Sequence, residues 1–129
     1  MAMSGRKKRI LIVDDEPDVI VTIRAMLEKY DFAVDSYTVP SSALENFTAD
    51  CYDLLILDVK MPRLSGFELY SKMKSHDNGI KVIFLTALKE LSLYEDFKKE
   101  VSPKAGERHF VQKPVTDVEL LEQVYSILN

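Results

Sequence analysis

"ILIVDDEP" (residues 10–17) is the stretch whose reading decides the fold. Four apolar residues run without a break into three carboxylates and a proline. The run lacks the in/out alternation of a half-exposed strand, so it predicts a strand covered on both faces, as in a parallel sheet. Burying Ile10 to Val13 then delivers Asp14, Asp15 and Glu16 together to one end of that strand. Like charges held so close repel, and at least one of them favours protonation unless something offsets the repulsion. Pro17 fits the first position of a following helix.

Working outward, "LLIL" (54–57) and "VIFL" (82–85) repeat the pattern of short apolar runs rich in β-branched residues. "AVDSY" (33–37) and "HFVQ" (109–112) are weaker strand candidates, suited to second or edge positions. Segments of helical period fill the gaps. Ile20, Ile23, Leu27 and Tyr30 mark one face of a first helix. Ser41 or Ser42 is expected to cap a second, carrying Ala43, Leu44 and Phe47. A third is expected from Gly66 to about Lys74, and a fourth through Tyr94, Phe97 and Val101. Thr116 to Glu119 reads as a capping box opening a fifth, with Val118, Leu121, Tyr125 and Leu128 on one face.

A strand–helix unit repeated five times predicts a doubly wound α/β domain with right-handed crossovers. Ligands on such sheets gather at the carboxyl ends of the strands, where strand order reverses. That rule selects Asp14, Asp15, Glu16, Asp58, Thr86 and Lys113.

The bulk properties narrow the function. The chain has 129 residues, enough for one domain with a real core. Its net charge of −4 speaks against nucleic acid as a direct partner. The basic run Arg6 to Arg9 reads as a solvated lead-in, so residues 1–8 are assigned to the lead-in and 9–129 to the domain. No apolar run is long enough to cross a bilayer or to serve as a signal peptide. Cys51 is the single cysteine, which excludes an internal disulfide. It is expected to be a buried free thiol, in keeping with a cytoplasmic setting. His76 and His109 have no ligand-like spacing and are read as structural.

The selected residues make a coherent set. Carboxylates converge from two strand ends, a hydroxyl comes from a third and an ammonium from a fourth. A hard divalent cation is the natural counter-ion for such a cluster, and Mg²⁺ prefers oxygen ligands. With the cation bound, the site accepts a phosphate that the bare carboxylates would repel.

"ILIVDDEP", "LLILDVKMPRLSGFEL", "VIFLTA" and "FVQKP", in this order, resemble the receiver domain of two-component response regulators, from about Arg9 to Leu128. Four motifs, each at the end of a predicted strand, carry the likeness together. The resemblance implies a flavodoxin-like fold: a five-stranded parallel sheet of order 2-1-3-4-5 with five helices. It implies that Asp58 is the phosphoryl acceptor, its carboxylate already ionised at neutral pH and needing no base. Asp15 and Asp58 are then direct ligands of Mg²⁺ (or Mn²⁺), Asp14 acts through a bound water, and the Lys60 backbone carbonyl completes the protein's share. Thr86, the Ala87 N–H and Lys113 are expected to hold phosphoryl oxygens. Thr86 and the aromatic Phe110 are the implied switch. Gly66 is the implied glycine of the turn into the third helix, and the Lys113–Pro114 bond is expected to be cis.

The implied partners are a sensor histidine kinase or phosphotransfer protein and an unnamed downstream protein, with no nucleic acid and no membrane. The reading leaves open whether phosphorylation drives a homodimer. No turnover activity is expected beyond the domain's own phosphorylation and dephosphorylation. Neither Lys60 nor Leu88, at the family's rate-tuning positions, carries an acid or amide to orient a water, so phosphate loss is expected to be slow. The Lys60 ammonium is a candidate internal counter-ion for the acids. Residues 88–110 depart from the family pattern, in a manner that resembles some archaeal receivers.

Three other readings compete with this one. A receiver-like module that signals without phosphate is opposed by the complete acid, hydroxyl and lysine set. An aspartyl phosphatase of the haloacid dehalogenase type would carry Asp-x-Asp after the first strand, whereas "DVK" follows the third. A flavin or nucleotide module needs a phosphate-cradling loop where "DDEP" stands.

Overall fold

The structure is a computed structural model describing residues 6–87 and 108–128. Five strands form one sheet: β1 (Arg9–Val13), β2 (Ala33–Tyr37), β3 (Leu54–Asp58), β4 (Val82–Thr86) and β5 (Arg108–Gln112). Their order is β2-β1-β3-β4-β5 and every pair is parallel, as expected from the sequence. Among the described residues there are four helices: α1 (Pro17–Lys29), α2 (Pro40–Glu45), α3 (Gly66–His76) and α4 (Asp117–Leu128). The expected helix through Tyr94, Phe97 and Val101 lies outside the described residues.

The three central strands are buried on both faces, and their residues alternate between two cores. Ile10, Ile12, Leu54, Ile56, Ile83 and Leu85 pack with α1 and α4. Leu11, Val13, Leu55, Leu57, Val82 and Phe84 pack with α2 and α3. Ile10 to Val13 are all fully buried, and so is Asp14. Each such apolar side chain contributes roughly 1.5–3 kcal/mol. Together they offset the several kcal/mol that taking a carboxylate out of water costs.

Local details depart from the sequence reading in four places. The second helix starts at Pro40, with Val39 as its N-cap, so neither Ser41 nor Ser42 caps it. Proline's fixed φ is already helical and it needs no N–H partner there, which draws the start forward. Phe47 falls beyond the helix end. The buried face of α4 is Leu120 and Val124, whereas Val118 is 70% exposed and Tyr125 40%. This helix is apolar around much of its girth, so spacing alone does not select the face. Cys51 is partly exposed rather than buried. Ser65 and Glu68 form a full capping box at the start of α3, which the sequence reading missed.

The far end of the sheet is tied independently of the site. Arg9 donates to both oxygens of Asp35 at 3.3 Å, and the Tyr52 hydroxyl donates to the same carboxylate at 2.7 Å. This cross-strand tie fixes β1, β2 and the chain entering β3 in register.

Candidate functional site

Each site residue is placed by a strand end. Asp14 follows β1, and its N–H donates to the Tyr37 carbonyl of β2 at 3.2 Å. Asp58 is the last residue of β3, and the next N–H, of Val59, donates to Leu85 of β4. Thr86 ends β4, and its carbonyl accepts from the N–H of Lys113, just past β5, at 2.9 Å. The Lys113–Pro114 peptide is cis, as expected. The strand register therefore fixes four functional groups at one edge of the sheet.

The loop after β3 folds back over Asp58. Gly66 N–H donates to the Val59 carbonyl at 2.9 Å. A Cβ on Gly66 would overlap the Asp58 carbonyl oxygen and lie 2.9 Å from its carbon. Glycine is required there by close approach, because the helix starts directly against the acceptor's backbone.

Lys113 is the hub. Its ammonium lies 2.7 Å from Glu16 Oε1, 3.2 Å from Asp14 Oδ2 and 3.4 Å from Asp58 Oδ1. Thus Lys113, not the candidate Lys60, is the ammonium set among the acids. Lys60 lines the same cleft of about 570 Å³, together with Asp15, Glu16, Asp58, Met61, Pro62, Ala87 and Lys113. Burial would pull the Lys113 ammonium down, but the bond to Glu16 and the charges of Asp14 and Asp58 outweigh it and raise it. The same bond lowers Glu16. Asp14 is raised by burial, partly opposed by the Glu16 N–H that donates to its Oδ1 at 2.9 Å and by the charge of Lys113.

Asp58 is pushed up to about 8, first by burial and then by the charge of Asp14. Lys113 opposes this, while a hydrogen bond shared with the Asp15 carboxyl adds to it. The ionised form expected of Asp58 therefore calls for a positive charge beside it. In the ion-free site, burial and a neighbouring carboxylate favour its protonated form.

The donor set suits a small hard cation. Carboxylate oxygens of Asp14, Glu16 and Asp58 all lie within 4.8 Å of one another. Asp14 Oδ2 is buried and makes no hydrogen bond, although the ammonium stands nearby. Oxygen-only donors with one unsatisfied buried lone pair fit Mg²⁺ better than a softer metal. Asp15 faces the cleft beside them. The sequence places Glu16 among the carboxylates gathered at the strand ends but gives it no individual role, and its bond to Lys113 is what the structure adds.

Thr86 is buried at the cleft's edge, with its hydroxyl donating to the Ala87 carbonyl at 3.1 Å. Phe110 on β5 is half-buried, 5.3 Å from the Phe84 ring and 6.3 Å from Phe67. It packs against the second core. His76 stands in the last turn of α3. The side chain of His109, and Leu88, lie outside the described residues. Among the described residues no helix is long and apolar enough to cross a membrane.

Comparison with known proteins agrees with this geometry. The response regulator RppA of Synechocystis is 34% identical over 122 residues, covering 92% of this chain and 50% of that protein. Sporulation initiation phosphotransferase F of Bacillus subtilis is 32% identical over 92 residues, covering 71% of this chain and 74% of that one. The response regulator TrrA of Thermotoga maritima, solved in complex with Mg²⁺ and BeF, superposes with a TM-score of 0.75 at 32% identity, covering 94% and 99% of the two chains. The chain spans about half the length of most of the curated relatives it matches. The sequence profile of the response regulator receiver domain matches residues 10–125. The chain belongs to that family, the phosphoaccepting module of two-component signalling.

Proposed function

We propose that Asp58 accepts a phosphoryl group from a histidine kinase, a phosphotransfer protein or a small phosphodonor, and that this changes a surface read by a downstream protein. The observation that carries the reading is the placement of Asp58. It is a buried carboxylate at the carboxyl end of the central strand, opening into a cleft with Lys113 3.4 Å away.

In the transfer, an Asp58 carboxylate oxygen attacks phosphorus. The bond from phosphorus to the donor's nitrogen or oxygen breaks, and the donor leaves with that electron pair. Lys113, the Thr86 hydroxyl and the Ala87 N–H hold the phosphoryl oxygens and stabilise their charge. Asp14, Asp15, Asp58 and the Lys60 carbonyl would hold the cation, Mg²⁺ or Mn²⁺, which neutralises charge on the acids and the incoming phosphoryl group. Thr86 turning toward the phosphoryl oxygen vacates space beside β4, and Phe110 moves into it. A cytoplasmic location follows from meeting a kinase's phosphorylated domain there.

Intact mass after incubation with acetyl phosphate tests the reading. One phosphoryl group is expected, dependent on Mg²⁺ and absent from Asp58→Asn. Phosphorylation that persists in Asp58→Asn would overturn the assignment.

A further inference from the structure

Glu16 holds an unusual place. Its backbone is pinned on both sides: its N–H donates to Asp14 Oδ1, and its carbonyl accepts from Val19 and Ile20 at the start of α1. It is the N-cap of that helix, a position whose side chain normally accepts from the first turn. Here the side chain makes no capping bond. Its carboxylate turns away to Lys113, 97 residues along the chain, and makes the shortest of the three contacts around that ammonium.

The three partners of Lys113 differ in how readily they can be given up. The Asp14 and Asp58 side chains are 0% and 4% exposed, whereas that of Glu16 is 60% exposed. A buried carboxylate that loses its ammonium has no water to replace it, whereas Glu16 does. The ammonium donates to Glu16 and stands in ion-pair contact with Asp14 and Asp58. To turn a donor toward a phosphoryl oxygen on Asp58, Lys113 must loosen one of these three contacts.

Resting on the phosphoacceptor reading, we propose that Glu16 is a positioning residue. It latches Lys113 in the unphosphorylated site, and the latch opens when a phosphoryl group forms on Asp58. The doubly charged phosphoryl group both attracts the ammonium and repels the Glu16 carboxylate, so the two arrangements exclude one another. Glu16 therefore biases the domain toward its resting state.

Beryllofluoride, a phosphoryl mimic, titrated calorimetrically into wild-type protein in saturating Mg²⁺ tests this beside Glu16→Gln and Asp18→Asn. Asp18 is an exposed carboxylate in the first turn of α1 and serves as a charge-matched control. Glu16→Gln is expected to bind about two- to fivefold tighter, the range that an exposed ion pair supports. Asp18→Asn is expected to match wild type. The Lys113 side-chain NMR signal is expected to shift in Glu16→Gln before the mimic is added, and not in Asp18→Asn. Equal gains in both variants would reduce the effect to general charge and overturn the latch. No gain in Glu16→Gln, or an unmoved Lys113 signal, would overturn it as well. Failure of wild type to bind would instead overturn the phosphoacceptor reading, and the latch with it.

Discussion

Gly66 lies so close to the backbone carbonyl of Asp58 that no side chain fits between them. The overlap is with backbone, which cannot swing aside as a side chain would. Gly66→Ala is expected to shift the start of α3 or the acceptor itself. Overpacking of this kind costs about 1–3 kcal/mol, readable by urea denaturation. Phosphorylation by acetyl phosphate is expected to slow further than the loss of stability accounts for, because the displaced atom belongs to the acceptor.

Asp58 makes the ion-free domain pH-sensitive. Its pKa is raised in the folded state from 3.8 to about 8, so the folded state keeps a proton that the unfolded chain gives up. Stability therefore falls as pH rises from about 4 to 8. Asp58→Asn removes this loss, and in EDTA it is expected to be more stable than wild type at pH 8, by about 1 kcal/mol or more. At pH 4 the two are expected to converge. Mg²⁺ is expected to narrow the gap at pH 8, because it stabilises wild type more. Thermal melts at the two pH values, with and without the ion, check all three outcomes.

Arg63 adopts a φ of 72° in the loop above Asp58, with the Leu64 N–H donating across it to Pro62 at 2.8 Å. This is a γ-turn with a left-handed centre, a strained conformation for a residue with a Cβ. The conformation costs roughly 1–2 kcal/mol, of which glycine would recover part after its own entropic cost. Arg63→Gly is expected to raise stability by roughly 0.5–1 kcal/mol in denaturant titrations. An unchanged midpoint would show that the loop relaxes without cost.

Lys60 lines the cleft beside the acceptor with an ammonium, which is unable to accept a hydrogen bond from an attacking water. Wild-type acyl phosphate is expected to decay slowly. Lys60→Gln supplies an amide oxygen in the same place and is expected to shorten the lifetime. Phosphate release after removal of the donor measures it.

Much of this was legible in the sequence because two-sided burial leaves an unmistakable trace. Unbroken apolar runs at 10–13, 54–57 and 82–85 located the central strands. The rule for carboxyl ends then located Asp14, Asp58, Thr86 and Lys113 before any contact was known. What the sequence concealed depends on tertiary neighbours. The buried face of α4 is ambiguous because apolar residues lie on several sides of it. The raised pKa of Asp58 requires knowing that Asp14 and Asp15 meet it. Glu16 is legible only as one more carboxylate of the cluster, because its partner Lys113 lies 97 residues along the chain.

The N–H of Lys113 bonds to the carbonyl of Thr86, and β4 and β5 pair from Val82–Arg108 to Thr86–Gln112. The hydroxyl and the ammonium proposed to meet the phosphoryl oxygens are thus joined by one backbone bond. The two strand ends act as a single clamp, and a displacement of either carries both groups with it.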